Sequence, residues 1–256
     1  LGMGAIPFEF PDGTLTPDAY KALRLQLDPD DDEAEATIRA ALELRTEREI
    51  YRSFEEWLDQ MLREGMTTAE VMAVTANIVM PQRAKDALIR ALIDSVDLGV
   101  IVAIDQLGSI GFDYTLVNTA ARDWARQYGA QLVTRIEETT RRAINEAVGR
   151  WIENGEPLSS LVGDLRQMGF SRRRARLIAQ TETTTAYNQA NVESYRASGV
   201  VAQEEWRTVR DERVCKICGP LHGKRVSLGG LFDGRYRPGT GSHPGCRCWT
   251  VPIVGD

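Results

Sequence analysis

Cys215-Lys216-Ile217-Cys218-Gly219 and His243-Pro244-Gly245-Cys246-Arg247-Cys248 bracket a stretch that holds every cysteine and, with His222, every histidine of a 256-residue chain. Tetrahedral zinc needs four thiolate or imidazole donors, and two short ligand pairs brought together across a loop supply them. The Cys-x-x-Cys spacing makes a turn whose backbone amides face the sulfurs, and Gly219 lets the chain bend away. Between the clusters, residues 219–245 hold eight glycines and three prolines in 27 positions. Such a segment loses much conformational entropy on ordering and offers few apolar groups in return, so a cross-link is expected. Disulfides suit it less well, because Cys246 and Cys248 stand too close for ordinary pairing with each other. The expectation is one zinc at Cys215, Cys218 and two of His243, Cys246 and Cys248, with His222 ranked last as a loop residue. A mostly thiolate set points to a closed, structural ion, since hydrolytic zinc keeps an open position beside a general base.

Working outward from this stretch, Trp206-Arg-Thr-Val209 and Cys248-Trp-Thr-Val251 alternate or are β-branched and read as strands. Upstream the periodicity is helical. Ser171 caps a basic helix opening Arg172-Arg173-Arg174-Ala175-Arg176, running through Thr181-Glu182-Thr183 and Tyr187 to Tyr195 and stopping at Gly199. A short helix over 160–168 precedes it, ended by Gly169. Apolar positions at 3–4 spacing predict long helices over 35–64, over 88–107 with its acids on the opposite face, and over 117–152, with a shorter one opening at Thr68 and ending near Pro81. Breaks are expected at Gly108 and Gly111. Residues 1–33 are rich in proline, glycine and aspartate, with a short helical patch around Ala19 to Leu27. The expected fold class is α+β: an extended acidic arm over 1–33, a helical scaffold over 34–157, and a small zinc-stapled C-terminal domain over 158–256.

Composition excludes several classes. No apolar run reaches the ~18 uncharged residues of a membrane helix, because Leu88 to Leu107 is broken by Arg90, Asp94, Asp97 and Asp105. The start, Leu1-Gly-Met-Gly-Ala5, has no basic region followed by an apolar core, so no secretory signal is expected. The net charge of −6 hides an asymmetry: residues 1–165 carry 16 basic and 29 acidic groups, residues 166–256 carry 15 and 8. The basic helix at 171–178 has two readings, contact with nucleic-acid phosphates or pairing with carboxylates of the 35–64 helix, and the acidic whole favours the second. Phe54, Trp57 and Trp124 are read either as partner-binding anchors or as the intramolecular core.

Ile178-Ala-Gln-Thr-Glu-Thr-Thr-Thr-Ala-Tyr-Asn-Gln-Ala190, Tyr195, Gly199-Val200, Trp206-Arg-Thr-Val-Arg-Asp-Glu-Arg-Val-Cys-Lys-Ile-Cys218 and Ser242-His-Pro-Gly-Cys-Arg-Cys248 together resemble the Mu F-like phage head morphogenesis proteins, over roughly residues 115–253. Gln180 stands where that family usually carries Arg, so no Arg–Glu pair is expected there. The resemblance implies a minor capsid protein made in the bacterial cytoplasm and carried in the virion, inside the capsid at the portal vertex. Its implied partners are the portal protein and the major capsid protein, with non-specific contact to packaged DNA and none to membrane. Its implied role is in head assembly and in DNA packaging or ejection, without catalysis. Glu182 is expected to hydrogen-bond across the C-terminal domain and not to act as an acid or base. An ADP-ribosyltransferase-like reading finds only a Glu-x-Glu at Glu33-Ala-Glu35, in the acidic arm. A nuclease of the H-N-H type would need more histidines than zinc leaves free.

Overall fold

In the computed structural model, residues 17–24, 34–76, 79–107, 114–168, 171–209 and 211–255 are described. Among these residues seven α-helices lead to a small sheet: α1 Pro17–Arg24, α2 Ala34–Met61, α3 Thr68–Ala76, α4 Gln82–Leu107, α5 Tyr114–Asn154, α6 Leu158–Met168, α7 Arg172–Ser198, then β1 Val201–Arg207, β2 Arg225–Ser227 and β3 Trp249–Val254. The expected α+β class holds. Every predicted helix is present, while most of the 1–33 arm and the breaks at Gly108, Gly111 and Gly169 lie outside the described residues.

The helix ends follow from local chemistry. Thr67 and Glu70 form a reciprocal box at the start of α3: the Glu70 amide donates to Thr67 Oγ1 (3.3 Å) and the Thr67 amide to Glu70 Oε2 (2.8 Å). Those bonds from Thr67 hold the Glu70 carboxyl below its ordinary value. Ser171 accepts the Arg174 amide and opens α7, which closes at Gly199 as expected.

The main core joins α2 (Ile50, Phe54, Leu58), α4 (Leu88, Leu92, Val96, Val100), α5 (Ala121, Ala125, Ile136, Ile144), α6 (Leu161, Leu165) and α7 (Ala175, Ala186, Ala190). Phe54 is 1% exposed, and Trp57 and Trp124 pack partly buried against the same core, so these aromatics are intramolecular packing and not free anchors. Where α4 meets α7, a Cβ on Gly99 would lie 2.7 Å from the Tyr187 carbonyl oxygen and 2.8 Å from the Ala190 Cβ. Only glycine permits that approach.

The expectation that the acids of α4 lie on the face away from the core fails for two of them. Asp94 and Asp97 are 3% and 0% exposed, paired with Arg45 of α2 and, at 2.7 and 2.8 Å, with Arg122 of α5. Burial raises both carboxyls despite their arginines. They act as charged pins between helices, a role periodicity does not distinguish from a solvated face.

The sheet has the order β2-β1-β3, both pairings antiparallel, with Trp206 opposite Thr250. β1 begins at Val201, five residues before the predicted strand, and ends before Val209. Its middle is Gln203-Glu204-Glu205, and the two glutamates are 0% and 6% exposed. Glu204 accepts the Gly229 amide (2.9 Å) and Arg237 Nη2 (3.0 Å), while Glu205 receives Arg225 Nε (2.8 Å). These buried polar partners remove the apolar alternation by which a strand is recognised.

Helix α7 supplies the free edge of β3 with side-chain hydrogen bonds in place of a fourth strand. Asn188 donates to the Cys248 carbonyl (3.0 Å) and accepts the Thr250 amide (3.1 Å), and Tyr195 Oη donates to the Thr250 carbonyl (3.2 Å). At its start the helix meets the acidic half: Arg172 Nε donates to Glu47 of α2 at 2.7 Å, and Arg174 Nη2 to Thr139 of α5 at 2.8 Å.

Candidate metal centre

The Cys-x-x-Cys turn forms as its spacing suggests. The Cys218 amide faces Cys215 Sγ at 3.3 Å, the Gly219 amide donates to the Cys215 carbonyl at 3.0 Å, and a 3₁₀ turn, Gly219–Leu221, carries the chain away. The second cluster rides on a loop anchored to α7. The Thr240 amide donates to Thr185 Oγ1 (2.9 Å) and the Gly245 amide to Thr181 Oγ1 (2.8 Å). Gly239, at φ +83°, crosses α7 so closely that a Cβ there would sit 2.8 Å from the Thr185 Cα.

These two supports bring all five predicted donors together as two overlapping triads that share Cys218. One is Cys215, Cys218 and His243; the other is Cys218, Cys246 and Cys248. Nε2 of His243 lies 3.1 Å from Cys215 Sγ and 3.2 Å from Cys218 Sγ, and Cys218 Sγ lies 4.0 Å from Cys246 Sγ. Bonds of ~2.3 Å to sulfur and ~2.0–2.1 Å to nitrogen put tetrahedral donors roughly 3.4–3.8 Å apart, a span that these separations bracket. His243 Nδ1 donates to the Pro244 carbonyl at 2.9 Å, which fixes the ring and leaves Nε2 with its lone pair toward the sulfurs. His222 lies elsewhere: its Nδ1 accepts the Thr208 amide at 3.1 Å.

The electrostatics of the cluster are compatible with a bound cation. Cys218, Cys246 and Cys248 are 3%, 1% and 4% exposed. Contact with Cys218 and Cys248, together with donors from Ser242 and Gly239, draws the Cys246 thiol down to about 2. Contact with Cys246 pushes Cys218 up, with burial acting the same way. For Cys248, contact with Cys218 works downward, but Cys246 and burial prevail and hold it up at about 12. Burial also works to raise Cys215, yet the amides of Cys218 and Ile217 bring it below its ordinary value. Burial works to lower His243, but the Pro244 carbonyl and the neighbouring sulfurs raise it. A buried thiolate without a counter-ion is costly, and one divalent ion would allow several of these sulfurs to ionise together. The Cys/His cluster could hold a metal ion.

Around the donors lies a small core of Trp206, Leu221 and Phe232, with Trp206 and Phe232 edge to face at 5.1 Å. Arg247, between two of the cysteines, grips Asp211 with two bonds of 2.7 and 2.8 Å and offers its carbonyl to Arg39 Nη2 at 2.8 Å. The Arg39 guanidinium lies between the rings of Tyr187 and Trp249, 5.0 Å from each centroid. Sequence reading missed Arg39, the Arg247–Asp211 pair and the threonines and asparagines of α7 that carry the loop and β3. The signal was present in α7, where the short uncharged polar residues Thr181, Thr185, Asn188 and Asn191 recur every three or four positions.

A helical body whose last helix carries a Cys/His knuckle and a three-stranded sheet defines the class. Residues 142–251 match the family model described as Phage Mu protein F like protein, so the resemblance read from the sequence is borne out from the end of α5 into β3, a span that contains the Cys/His cluster. No curated protein and no solved structure matches the chain. Among the described residues, no helix is long and apolar enough to cross a membrane.

Proposed function

We propose that this chain is a minor head protein of a tailed phage, held at the portal vertex inside the capsid by the portal and major capsid proteins. There it acts in head assembly and in DNA packaging or ejection, as a structural component without catalysis. The observation that supports this reading is the Mu F-like span, 142–251, which runs from the end of α5 through α6, α7, β1, β2 and the Cys/His cluster into β3. Particles of the parent phage, disrupted and fractionated, test it: the protein should co-purify with the ring-shaped portal oligomer, and its absence from mature particles and procapsids alike would refute the assignment.

Within this reading the cluster holds one structural zinc at Cys215, Cys218, His243 and Cys246. Cys246 is taken as the fourth donor because its Sγ lies 4.0 Å from Cys218 Sγ, close to the ligand-to-ligand span of one ion. Bound there, zinc cross-links the 215–218 turn to the 239–248 loop. Elemental analysis should find one zinc per chain. Cys246→Ser should abolish it and Cys248→Ser should retain it, and the reverse pattern would reassign the fourth ligand. Structural zinc contributes ~10–16 kcal/mol in small domains, so a strong chelator should melt the sheet region while the upstream helices keep most of their far-UV signal.

A further inference from the structure

Beside the metal loop, on the side of α7 that faces α5, lies a groove of about 240 Å³ lined by Leu177, Ile178, Thr181, Glu182, Thr240 and Pro244. Its walls are apolar, and Leu177 is 44% exposed there. At its inner end is Glu182, 8% exposed. One carboxylate oxygen, Oε2, accepts from Tyr128 Oη at 2.7 Å. Among the described residues the other, Oε1, has no hydrogen-bond partner, and the charge has no ion pair within 4 Å. An influence of opposite sign comes from Arg135, which lies over the Tyr128 ring, 5.4 Å from its centroid. Burial of a carboxylate against apolar walls without an ion pair is costly in the free chain and is relieved when a cation enters.

We propose that this groove is a docking site for a lysine side chain of a partner polypeptide, its ammonium on Glu182 and its methylenes against Leu177, Ile178 and Pro244. The shape of the acceptor set favours lysine over arginine. A guanidinium gains most from two carboxylate oxygens in a fork, and here Tyr128 already occupies one of them. An ammonium is a point charge with freely rotating donors, and the exposed Thr240 beside Glu182 gives it a second acceptor. The aliphatic stem of lysine covers apolar surface while its head reaches the charge, which matches a groove apolar at its walls and acidic at its end.

The full-length chain, labelled with ¹⁵N, can be titrated with Nα-acetyl-lysine methylamide and, in parallel, with the norleucine and arginine analogues and with spermidine. The lysine probe should shift the amides of residues 177–182 and 240–245 saturably, and the norleucine probe should not. Glu182→Gln keeps the acceptor for Tyr128 and should weaken the lysine probe at least tenfold. Leu177→Ser, at an exposed position, should weaken it several-fold with no change in melting, and it carries the test if Glu182→Gln disturbs the fold. No saturable shift, equal binding of norleucine, or tighter binding of the arginine probe would overturn the assignment. Spermidine binding tenfold tighter than the lysine probe would overturn the polypeptide source in favour of a free polyamine. Because the titration uses the isolated chain, its outcome is separate from portal association.

Discussion

Asn188→Ala removes the side chain that stands in for a missing strand. Asn188 is 4% exposed and makes three bonds: Nδ2 donates to the Thr184 carbonyl (2.8 Å) and to the Cys248 carbonyl (3.0 Å), and Oδ1 accepts the Thr250 amide (3.1 Å). The Thr184 carbonyl lies inside α7 and loses little. The other two groups sit on a closed edge where water does not replace the amide, and an unsatisfied buried group costs about 1–3 kcal/mol. Alanine returns roughly 0.5 kcal/mol of helix propensity. The expected loss is therefore about 2–5 kcal/mol, and at ~2–4 °C per kcal/mol for a protein of this size the melting temperature should fall by roughly 4–20 °C. Urea titration gives the free energy, and hydrogen exchange reads the Thr250 amide directly, which should lose protection ahead of the α4 amides. Asn188→Asp keeps an acceptor for Thr250 but loses the donor to Cys248 and buries a charge, so it should be no better than alanine. A stability change within about 0.5 kcal/mol, with Thr250 protection unaltered, would refute the edge-capping role.

Arg122→Ala strands the buried Asp97 carboxylate and should cost about 3–5 kcal/mol by chemical denaturation, whereas Arg126→Ala, from an exposed pair with Asp123, should cost almost nothing. Phe54→Ala opens the core between α2 and its neighbours and should cost about 3–5 kcal/mol in the same measurement. Burial raises the Glu43 carboxyl from 4.5 to about 7, against the nearby Arg39, Arg247, Arg176 and Arg213. A folded value above the unfolded one means that its contribution is fully present below pH ~4.5 and is lost as pH rises through about 7. Glu43→Gln should accordingly flatten the pH dependence of stability across that window and be the more stable protein at pH 8; an unchanged slope would refute the assignment.

The helices were legible because their cores are apolar at 3–4 spacing, and the ends of α7 because Ser171 and Gly199 carry cap chemistry. Asp94, Asp97, Glu204 and Glu205 defeated the reading for one common reason: each is buried with an arginine supplied from another element, and a sequence shows the charge without its distant partner. β2 is three residues long, too short for any period to declare itself. That Cys215, Cys218, His243, Cys246 and Cys248 gather in one place could be read from spacing, since only a turn and a loop had to form. How they divide around Cys218, and that Cys248 lies beside the Trp206 indole, depends on the sheet that brings the two segments together.

The polar seam of α7 also sets how the gene can vary. Thr181 and Thr185 are matched to the 239–245 loop, Glu182 to α5, and Asn188, Asn191 and Tyr195 to β3. One codon inserted after Ala186 would turn everything beyond it by about 100° and advance it by about 1.5 Å, aiming the asparagines away from the strand while the threonines stayed in place. Helix α7 is thus a ruler with marks at both ends. Its length should be invariant among viable variants, and insertions should instead collect in the exposed turn at Gly155-Glu156, before Pro157.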